Sequence, residues 1–225
     1  MGQAVSELWK MLWSKRDTQR EYAFTINGVW YGSEQVVEHD GEASLYGDFS
    51  IGNAYIASLS LGLYAEDIPK RAEIRRYVRL VNGEQVSEWI PKGIFYANRR
   101  IEDDGYWTIE AFDAMRKAVV IWEPDQALQF PLPMPDAVTE FARIMGVSID
   151  SRTKLNRAYT IDYPANDWTI RDELGFIAAA HGGNWVITDT GTLLLVPLIS
   201  IPERTNYLVT ERGSAITFGG VRILV

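Results

Sequence analysis

The sequence contains no cysteine and only two histidines, His39 and His181, among its 225 residues. The absence of cysteine excludes disulfide bonds, thiolate zinc sites and cysteine nucleophiles, so packing alone must stabilise the fold. A Ser-His-Asp triad or a two-histidine metal site would have to use one or both histidines. Any catalytic or metal site that needs a histidine must therefore include His39 or His181.

An excess of positive charge and a long hydrophobic run are also missing. The chain has 30 acidic against 22 basic residues and a formal net charge of -8 at pH 7, which disfavours broad contact with nucleic-acid phosphates. No run approaches the roughly 20 apolar residues that cross a bilayer, and Met1 to Arg20 lacks the continuous apolar core of a secretory signal. From the sequence we expect neither specific DNA binding nor a membrane span.

The common catalytic motifs are absent, including the G-x-S-x-G elbow, H-E-x-x-H, the Walker loop and G-x-G-x-x-G. His39-Asp40-Gly41-Glu42 places an imidazole and two carboxylates in a predicted turn, where a solvated loop is favoured over a metal site. Glu102-Asp103-Asp104-Gly105 is interpreted as a hairpin turn rather than as paired acid-base carboxylates, and His181 as a helix cap. We predict no catalytic residue, no cofactor and no metal, and hence no enzyme.

Strand-like alternation broken by turn dipeptides fills the segment from Glu21 to Trp122. Hairpins are predicted at Asn27-Gly28, Asn82-Gly83 and Asp104-Gly105, because Asn, Asp and Gly tolerate the positive φ of a type I′ turn. Several such strands indicate an antiparallel barrel or sandwich rather than a parallel α/β sheet. Asp113 is predicted to cap a short helix that closes this unit.

A proline-rich strap occupies residues 123–135 and marks a domain boundary. After it, Asp136 is predicted to cap a helix that ends at Gly146. Thr169 begins a second helix with a capping-box pattern, and an Asp189-Thr190-Gly191 turn joins two strands into a hairpin. The segment after the strap is therefore a small α+β unit.

These patterns predict an α+β, mainly β protein: an antiparallel β-barrel-like domain, then a small α+β domain, then the start of a second β-barrel. The predicted boundaries are an N-terminal amphipathic helix in residues 1–20, the barrel-like domain in 21–122, the strap in 123–135, the α+β domain in 136–200 and a truncated second barrel in 201–225.

Both ends of the chain carry apolar surface that needs a partner. Val5, Leu8, Trp9 and Leu12 share one face of the N-terminal helix, and the strand-like stretches Ala215 to Phe218 and Val221 to Val225, separated by Gly219-Gly220, end on an apolar edge. The candidate subunit-interface residues are Val5, Leu8, Trp9, Leu12, Trp89, Trp122, Val221 and Leu224.

Eight tryptophans are present, a residue type enriched at interfaces and carbohydrate platforms. Those predicted to lie in the core are Trp30, Trp107 and Trp185. Those near the ends of elements, interpreted as subunit contacts with sugar stacking as the open alternative, are Trp9, Trp13, Trp89 and Trp122.

A basic stretch lies on one predicted strand. Arg75, Tyr77 and Arg79 share one of its faces, whereas Ile74, Arg76 and Val78 share the other. A solvated or intersubunit face is favoured here over single-strand nucleic-acid binding.

Four segments together resemble one known family. Ile90 to Tyr96, with Pro-Lys-Gly and Phe-Tyr, and Asp104 to Met115, ending in Phe-Asp-Ala-Met, are similar to a pattern of phage and prophage tail hub proteins. Trp168 to Leu174 and Gly182 to Thr188 are similar to the second-domain signature of the same proteins. The resemblance covers about residues 90–190 and extends in architecture to baseplate hubs and VgrG-type spike hubs.

The resemblance implies a role in assembly. Such proteins are trimers whose subunits each contribute two β-barrels to a pseudo-sixfold ring that adapts the tail tube to the tail tip. It implies a virion tail location and, as partners, further copies of the chain and the distal tail, tape-measure and tip or fibre proteins, with DNA passing through unbound. The alternatives are a tail-tip endopeptidase or glycan hydrolase, and a carbohydrate-binding module.

Overall fold

The computed structural model describes residues 4–42, 50–165 and 167–198, together with the paired residues 217–218 and 221–222. Its helices are α1 (Glu7–Trp13), α2 (Met134–Met145) and α3 (Ile170–Ala180), with a 3-10 helix at Ala114–Ala118. Its strands are β1 (Gln19–Ile26), β2 (Val29–Tyr31), β3 (Val36–Glu42), β4 (Ser58–Tyr64), β5 (Glu73–Asn82), β6 (Gln85–Val86), β7 (Ile90–Asp103), β8 (Tyr106–Phe112), β9 (Leu132–Pro133), β10 (Thr160–Ile161), β11 (Gly183–Ile187), β12 (Leu193–Pro197), β13 (Thr217–Phe218) and β14 (Val221–Arg222).

The largest element is an antiparallel sheet in the order β2-β1-β5-β7-β8-β4-β3, with β6 paired to β5. β1 and β3 lie near opposite ends of this order, yet the ring centroids of Tyr22 on β1 and His39 on β3 are 4.3 Å apart. The sheet is therefore curled into a half-barrel whose two ends approach each other across its inner face. The predicted α+β, mainly β fold class is confirmed.

The predicted hairpins are present, one of them shifted. Asn27-Gly28 has φ values of 47° and 86°, and Asp104-Gly105 has 48° and 78°, the positive values that a type I′ turn requires. In the third hairpin Asn82 pairs with Gln85. Its two-residue loop is therefore Gly83-Glu84, one residue later than predicted.

Apolar side chains cover the inner face of the sheet. β1 and β5 pair in continuous register, with Tyr22 opposite Val78 and Phe24 opposite Arg76, so alternate residues of both strands share this face. We call its buried cluster the sheet core: Phe24, Ile26, Leu59, Leu61, Leu63, Ile68, Ala72, Ile74, Phe95, Ala97, Ile109 and Ala111.

A second cluster, the helical core, lies beside the sheet and draws on both sides of the strap. Its buried residues are Ala54, Met115, Ala118, Trp122, Leu132, Met134, Ala137, Val138, Phe141, Ala142, Met145, Ile161, Ile170, Leu174, Ile177, Ala178, Trp185, Leu193 and Leu195. Main-chain bonds tie it to the segment before β4, since Trp185 N–H donates to Asn53 O at 2.8 Å and Gly52 N–H to Gly183 O at 3.0 Å. The domain boundaries given above stay a prediction.

Most of the predicted helix ends are confirmed. Asp113 caps the 3-10 helix, α2 ends at Gly146 with φ of 67°, and both hydrogen bonds of the Thr169–Asp172 capping box are present. The predicted start of α2 is wrong. The helix begins at Met134, so Asp136 lies in its first turn, where a carboxylate still complements the helix dipole.

Two further expectations are wrong. The segment predicted as a turn at His39 lies within β3. Trp30, predicted to be core, is 46% exposed, because it lies opposite Thr25 on the outer face of the sheet, beside Tyr77. By contrast, Trp185 is fully buried, and the half-buried Trp107 donates its indole N–H to the carbonyl of Ala65.

In the described part of the chain no helix is long and apolar enough to cross a membrane. β13 and β14 form an antiparallel pair. The predicted Gly219-Gly220 turn, most of the predicted second barrel and Leu224 lie outside the described residues, so the second barrel stays a prediction.

Candidate functional site

The apolar face of α1 is buried against its own sheet. Trp9 and Leu12 are 8% and 0% exposed, and Val5 and Leu8 pack at their margin. The residues of β5 and β7 that receive them are Val78, Leu80 and Ile90. A subunit-interface role for these four helix residues stays a prediction, but most of their apolar surface is already covered within the chain.

The other predicted interface residues have different surroundings. Trp89 is half-buried, with Trp30 edge-on at 5.3 Å and the Arg79 guanidinium 4.5 Å above its ring. Trp122 is buried in the helical core, T-shaped to Phe141 at 4.8 Å. The backbone of Val221 lies in β14.

A groove of about 670 Å³ lies between α1, the inner face of the sheet and the β11–β12 turn. We call it the basic groove; the residues that line it are Val5, Trp9, Lys10, Trp13, Arg20, Tyr22, Arg76, Val78, Ile90, Lys92 and Asp189. Lys92 reaches across to Asp189 at 3.1 Å and closes one end of it. The groove thus combines cationic, aromatic and aliphatic side chains on one concave surface.

Arg76 is the central cation of the basic groove. It projects from the inner face of β5, where its guanidinium lies 4.7 Å from the ring centroid of Tyr22. Its Nε is buried and has no hydrogen-bond partner among the residues that the structure describes. Gly41 on β3 leaves room for the guanidinium, because a side chain there would collide with it.

His39 lies beside Arg76 on the same inner face. Its ring packs between Tyr22 and Phe24, at 4.3 and 5.5 Å, and its Nδ1 is buried without a hydrogen-bond partner. Burial lowers the pKa of His39, and the positive charge of Arg76 lowers it further, against a smaller raising effect of Asp40. His39 therefore does not add a second positive charge here at neutral pH.

Asp113 is a buried carboxyl where the sheet meets the helical core. Its oxygens accept from the backbone N–H groups of Ala57 at 3.1 Å and Met115 at 3.0 Å. Burial raises its pKa to about 7, against the lowering effect of the two N–H groups. Because Asp113 caps a helix and ties β8 to the segment before β4, we interpret it as a residue that stabilises the fold.

His181 ends α3, as predicted. Its Nδ1 lies 2.8 Å from the carbonyl oxygen of Ile177, and its Nε2 accepts from the backbone N–H of Asn156 at 2.9 Å. His181 therefore joins the end of α3 to the loop before β10.

The remaining predicted polar groups are paired or dispersed. Arg75 binds Glu73 at 2.7 Å and Arg79 binds Glu21 at 2.6 Å, so these cations of the basic stretch are neutralised on the outer face. Among the described residues no group of three or more His, Asp or Glu side chains is arranged to hold a metal ion.

The sequence interpretation missed the basic groove. One signal was present: Arg76 shares a strand face with Ile74 and Val78, and a charged residue on an apolar face is an anomaly that suggests a function. Arg20 and Lys92 gave no such signal, since their approach depends on the curl of the sheet and on the docking of α1.

Comparison of the chain with solved structures shows a similarity of fold. No family model matches the sequence, and no curated protein sequence matches it significantly. The crystal structure of the prophage MuSo2 43 kDa tail protein from Shewanella oneidensis matches with a TM-score of 0.53 at 12% identity, over 84% of this chain and 59% of that chain. The tail protein from Neisseria meningitidis MC58 has a TM-score of 0.49 at 16% identity, over 78% and 51%. The chain thus spans less than two thirds of the length of either protein, and the first match concerns the fold alone.

Proposed function

We propose that this chain is a structural subunit of a phage tail, and that it acts as a hub whose copies form a ring joining the tail tube to the tail tip. The observation that carries the proposal is the fold shared with a prophage tail protein over 84% of this chain. Since fold alone does not determine function, the tail role also draws on the four family-like segments in residues 90–190.

The end of the curled sheet supports ring closure. In the described residues β3 pairs with β4, and no strand covers its outer edge. An unpaired strand edge is a template for another chain, and a heterologous contact closes into a ring when its rotation permits. The family resemblance favours three copies, with distal tail, tape-measure and tip or fibre proteins as neighbours in the virion tail.

The charge of the chain suits a ring around a channel. A net charge of -8 repels passing DNA rather than binding it. Arg75 and Arg79 are held in ion pairs, and we expect them to lie away from the channel wall.

Sedimentation at increasing protein concentration, with electron microscopy of the same samples, tests the ring. We expect a mass three times the 25.5 kDa of the chain and threefold ring projections. Val37→Lys, at a 62% exposed position of β3, should keep the chain monomeric, because lysine on an edge strand opposes pairing. Ile101→Lys, at a 49% exposed position of β7, is the matched control and should still assemble. A chain that stays monomeric at every concentration would overturn the ring.

A tail-tip endopeptidase or glycan hydrolase is the alternative, and the unpaired buried Nδ1 of His39 is the observation that favours it. Peptidoglycan turnover by the purified chain, compared with His39→Gln, separates the two functions. Peptidoglycan turnover that is present in the unmodified chain and lost in His39→Gln would show that the chain is an enzyme and not a purely structural subunit. A carbohydrate-binding module has less support, because Trp122 is buried and Trp89 is flanked by Arg79 and Trp30.

A further inference from the structure

The basic groove holds more positive charge than the described carboxylates around it neutralise. Its lining contains Lys10, Arg20, Arg76 and Lys92 against the single carboxylate of Asp189. Lys10 pairs with Glu7 at 2.6 Å and Lys92 with Asp189 at 3.1 Å. No described carboxylate forms a salt bridge with Arg20 or Arg76, so in the part of the chain that the structure describes two guanidinium groups face one cavity without a counter-charge.

One of these guanidinium groups is also incompletely hydrogen-bonded. The buried Nε of Arg76 has no partner, and an unpaired donor on a charged, partly desolvated group opposes folding. An anion in the groove would offset the cost of holding this charge by pairing with the guanidinium as a whole, whereas the buried Nε itself is out of its reach. Arg76 therefore favours an anionic acceptor inside the groove.

The aromatic rings narrow the class of ligand. Arg20 lies 4.6 Å from the ring centroid of Trp13 and Arg76 lies 4.7 Å from that of Tyr22, so one face of each ring is already occupied by a cation. A nucleic-acid base or a sugar, which binds by stacking on a free aromatic face, cannot use the faces that these guanidinium groups cover. The net charge of -8 also opposes a long polyanion.

The rest of the lining is aliphatic. Val5, Val78 and Ile90 lie beside the cations, and about 670 Å³ accommodates a few side chains rather than a folded domain. We infer that the basic groove is a docking site for a short acidic and aliphatic segment of a different polypeptide chain, whose carboxylates pair with Arg20 and Arg76. The inference is independent of ring formation, and either can fail alone.

The test measures binding of a fluorescent peptide of alternating glutamate and valine to the full chain, with a glutamine-valine peptide and a thymidine oligonucleotide as comparison probes. We expect the glutamate peptide to bind, the glutamine peptide to bind about tenfold or more weakly, and affinity to fall with salt. Arg76→Gln and Arg20→Gln should each weaken binding about tenfold. Arg143→Gln, on the exposed face of α2 and paired with Glu140, is the matched control and should bind as the unmodified chain does.

Folding of each variant is verified by circular dichroism, and Arg76→Lys, which keeps the charge but loses the planar fork, should bind with intermediate affinity. The inference is overturned if the glutamate and glutamine peptides bind equally or if neither binds. It is also overturned if the oligonucleotide binds more tightly than the peptide, or if Arg76→Gln abolishes self-association in sedimentation without affecting peptide binding. The last result would make a second copy of the chain the occupant.

Discussion

The inner face of the sheet and the helical core differ in which buried polar groups they leave unpaired. In the helical core these are the indole nitrogens of Trp122 and Trp185, whereas on the sheet they are Nδ1 of His39 and Nε of Arg76. A neutral indole N–H without a partner costs less than an unpaired donor on the charged guanidinium of Arg76. The difference is consistent with a helical core that only packs the fold and with a sheet face whose charge serves the proposed acidic partner segment.

The polar residues of the helical side support this contrast, because they bond to the chain itself. Asn184 accepts from the backbone N–H of Asn53 at 2.9 Å and donates to Ser50 O at 2.9 Å. The carboxylate of Asp172 accepts from the backbone N–H of Thr169 at 2.9 Å. These bonds close loops and helix ends and leave little polar capacity for a ligand.

The largest expected effect tests whether the helical core is a closed packing arrangement. Trp185→Ala removes the largest fully buried side chain and should lower the free energy of unfolding by about 3–5 kcal/mol. Urea denaturation followed by circular dichroism measures it. Trp168→Ala, at a 41% exposed position, should lower the free energy of unfolding by less than about 1 kcal/mol. Equal losses at the two positions would show that the helical core is not closely packed around Trp185.

The second effect concerns Asp113, where the two regions meet. Because its pKa is raised to about 7 in the folded chain, its contribution to stability is full below the unfolded pKa near 4 and is lost as pH rises through 7. The unfolding free energy of the unmodified chain relative to Asp113→Asn should therefore fall by about 2–3 kcal/mol between pH 5 and pH 8.

Glu173 is the control for this pH experiment, because burial raises its pKa as well. Glu173→Gln should retain the pH dependence caused by Asp113. If Asp113→Asn shows the same slope between pH 5 and pH 8 as the unmodified chain, the assignment to Asp113 is wrong.

A smaller effect is expected where α3 meets the segment before β4. A Cβ at Gly175 would lie 2.8 Å from the carbonyl oxygen of Gly52. Alanine normally stabilises a helix interior by about 1 kcal/mol relative to glycine, but the clash should make Gly175→Ala destabilising by about 1–2 kcal/mol. Thermal unfolding gives the sign, and a stabilised variant would mean that this contact is loose.

The smallest of these effects is at the capping box. Thr169→Ala removes the side-chain acceptor for Asp172 N–H and should cost about 1 kcal/mol. Thr139→Ala, inside α2 with its hydroxyl on the carbonyl of Pro135, should cost no more than about 0.5 kcal/mol. Chemical denaturation of both variants decides whether the cap matters more than an ordinary helical threonine.

Local signals explain which features could be predicted from the sequence. Asn27-Gly28 and Asp104-Gly105 specify their turns through positive φ, and Thr169 with Asp172 specifies a helix start, because each signal is complete within four residues. Trp30 could not be placed, since its exposure follows from the register of β1 and β2, which puts it on the outer face of the sheet. The Asp-Gly dipeptide after His39 predicts a turn, whereas pairing with β4 holds the whole segment in a strand.

The site was harder to predict, because it is built by long-range packing. Arg20, Arg76 and Lys92 come from three strands, and Trp13 comes from a helix whose docking depends on Val78 and Ile90. The sequence shows only that Arg76 lies on an apolar strand face. It does not show that Arg76 lines a groove, because the groove forms when the sheet curls and brings β3 toward β1.

The unfolding free energy of Arg76→Met, measured without ligand beside the unmodified chain, most directly tests whether the sheet face holds a charge for a partner rather than for folding. Methionine keeps an apolar stem against Tyr22 and removes the unpaired guanidinium. We expect the free energy of unfolding to rise by about 1 kcal/mol while binding of the glutamate-valine peptide is lost. A fall of about 1 kcal/mol or more would show that Arg76 serves the fold and would contradict the account.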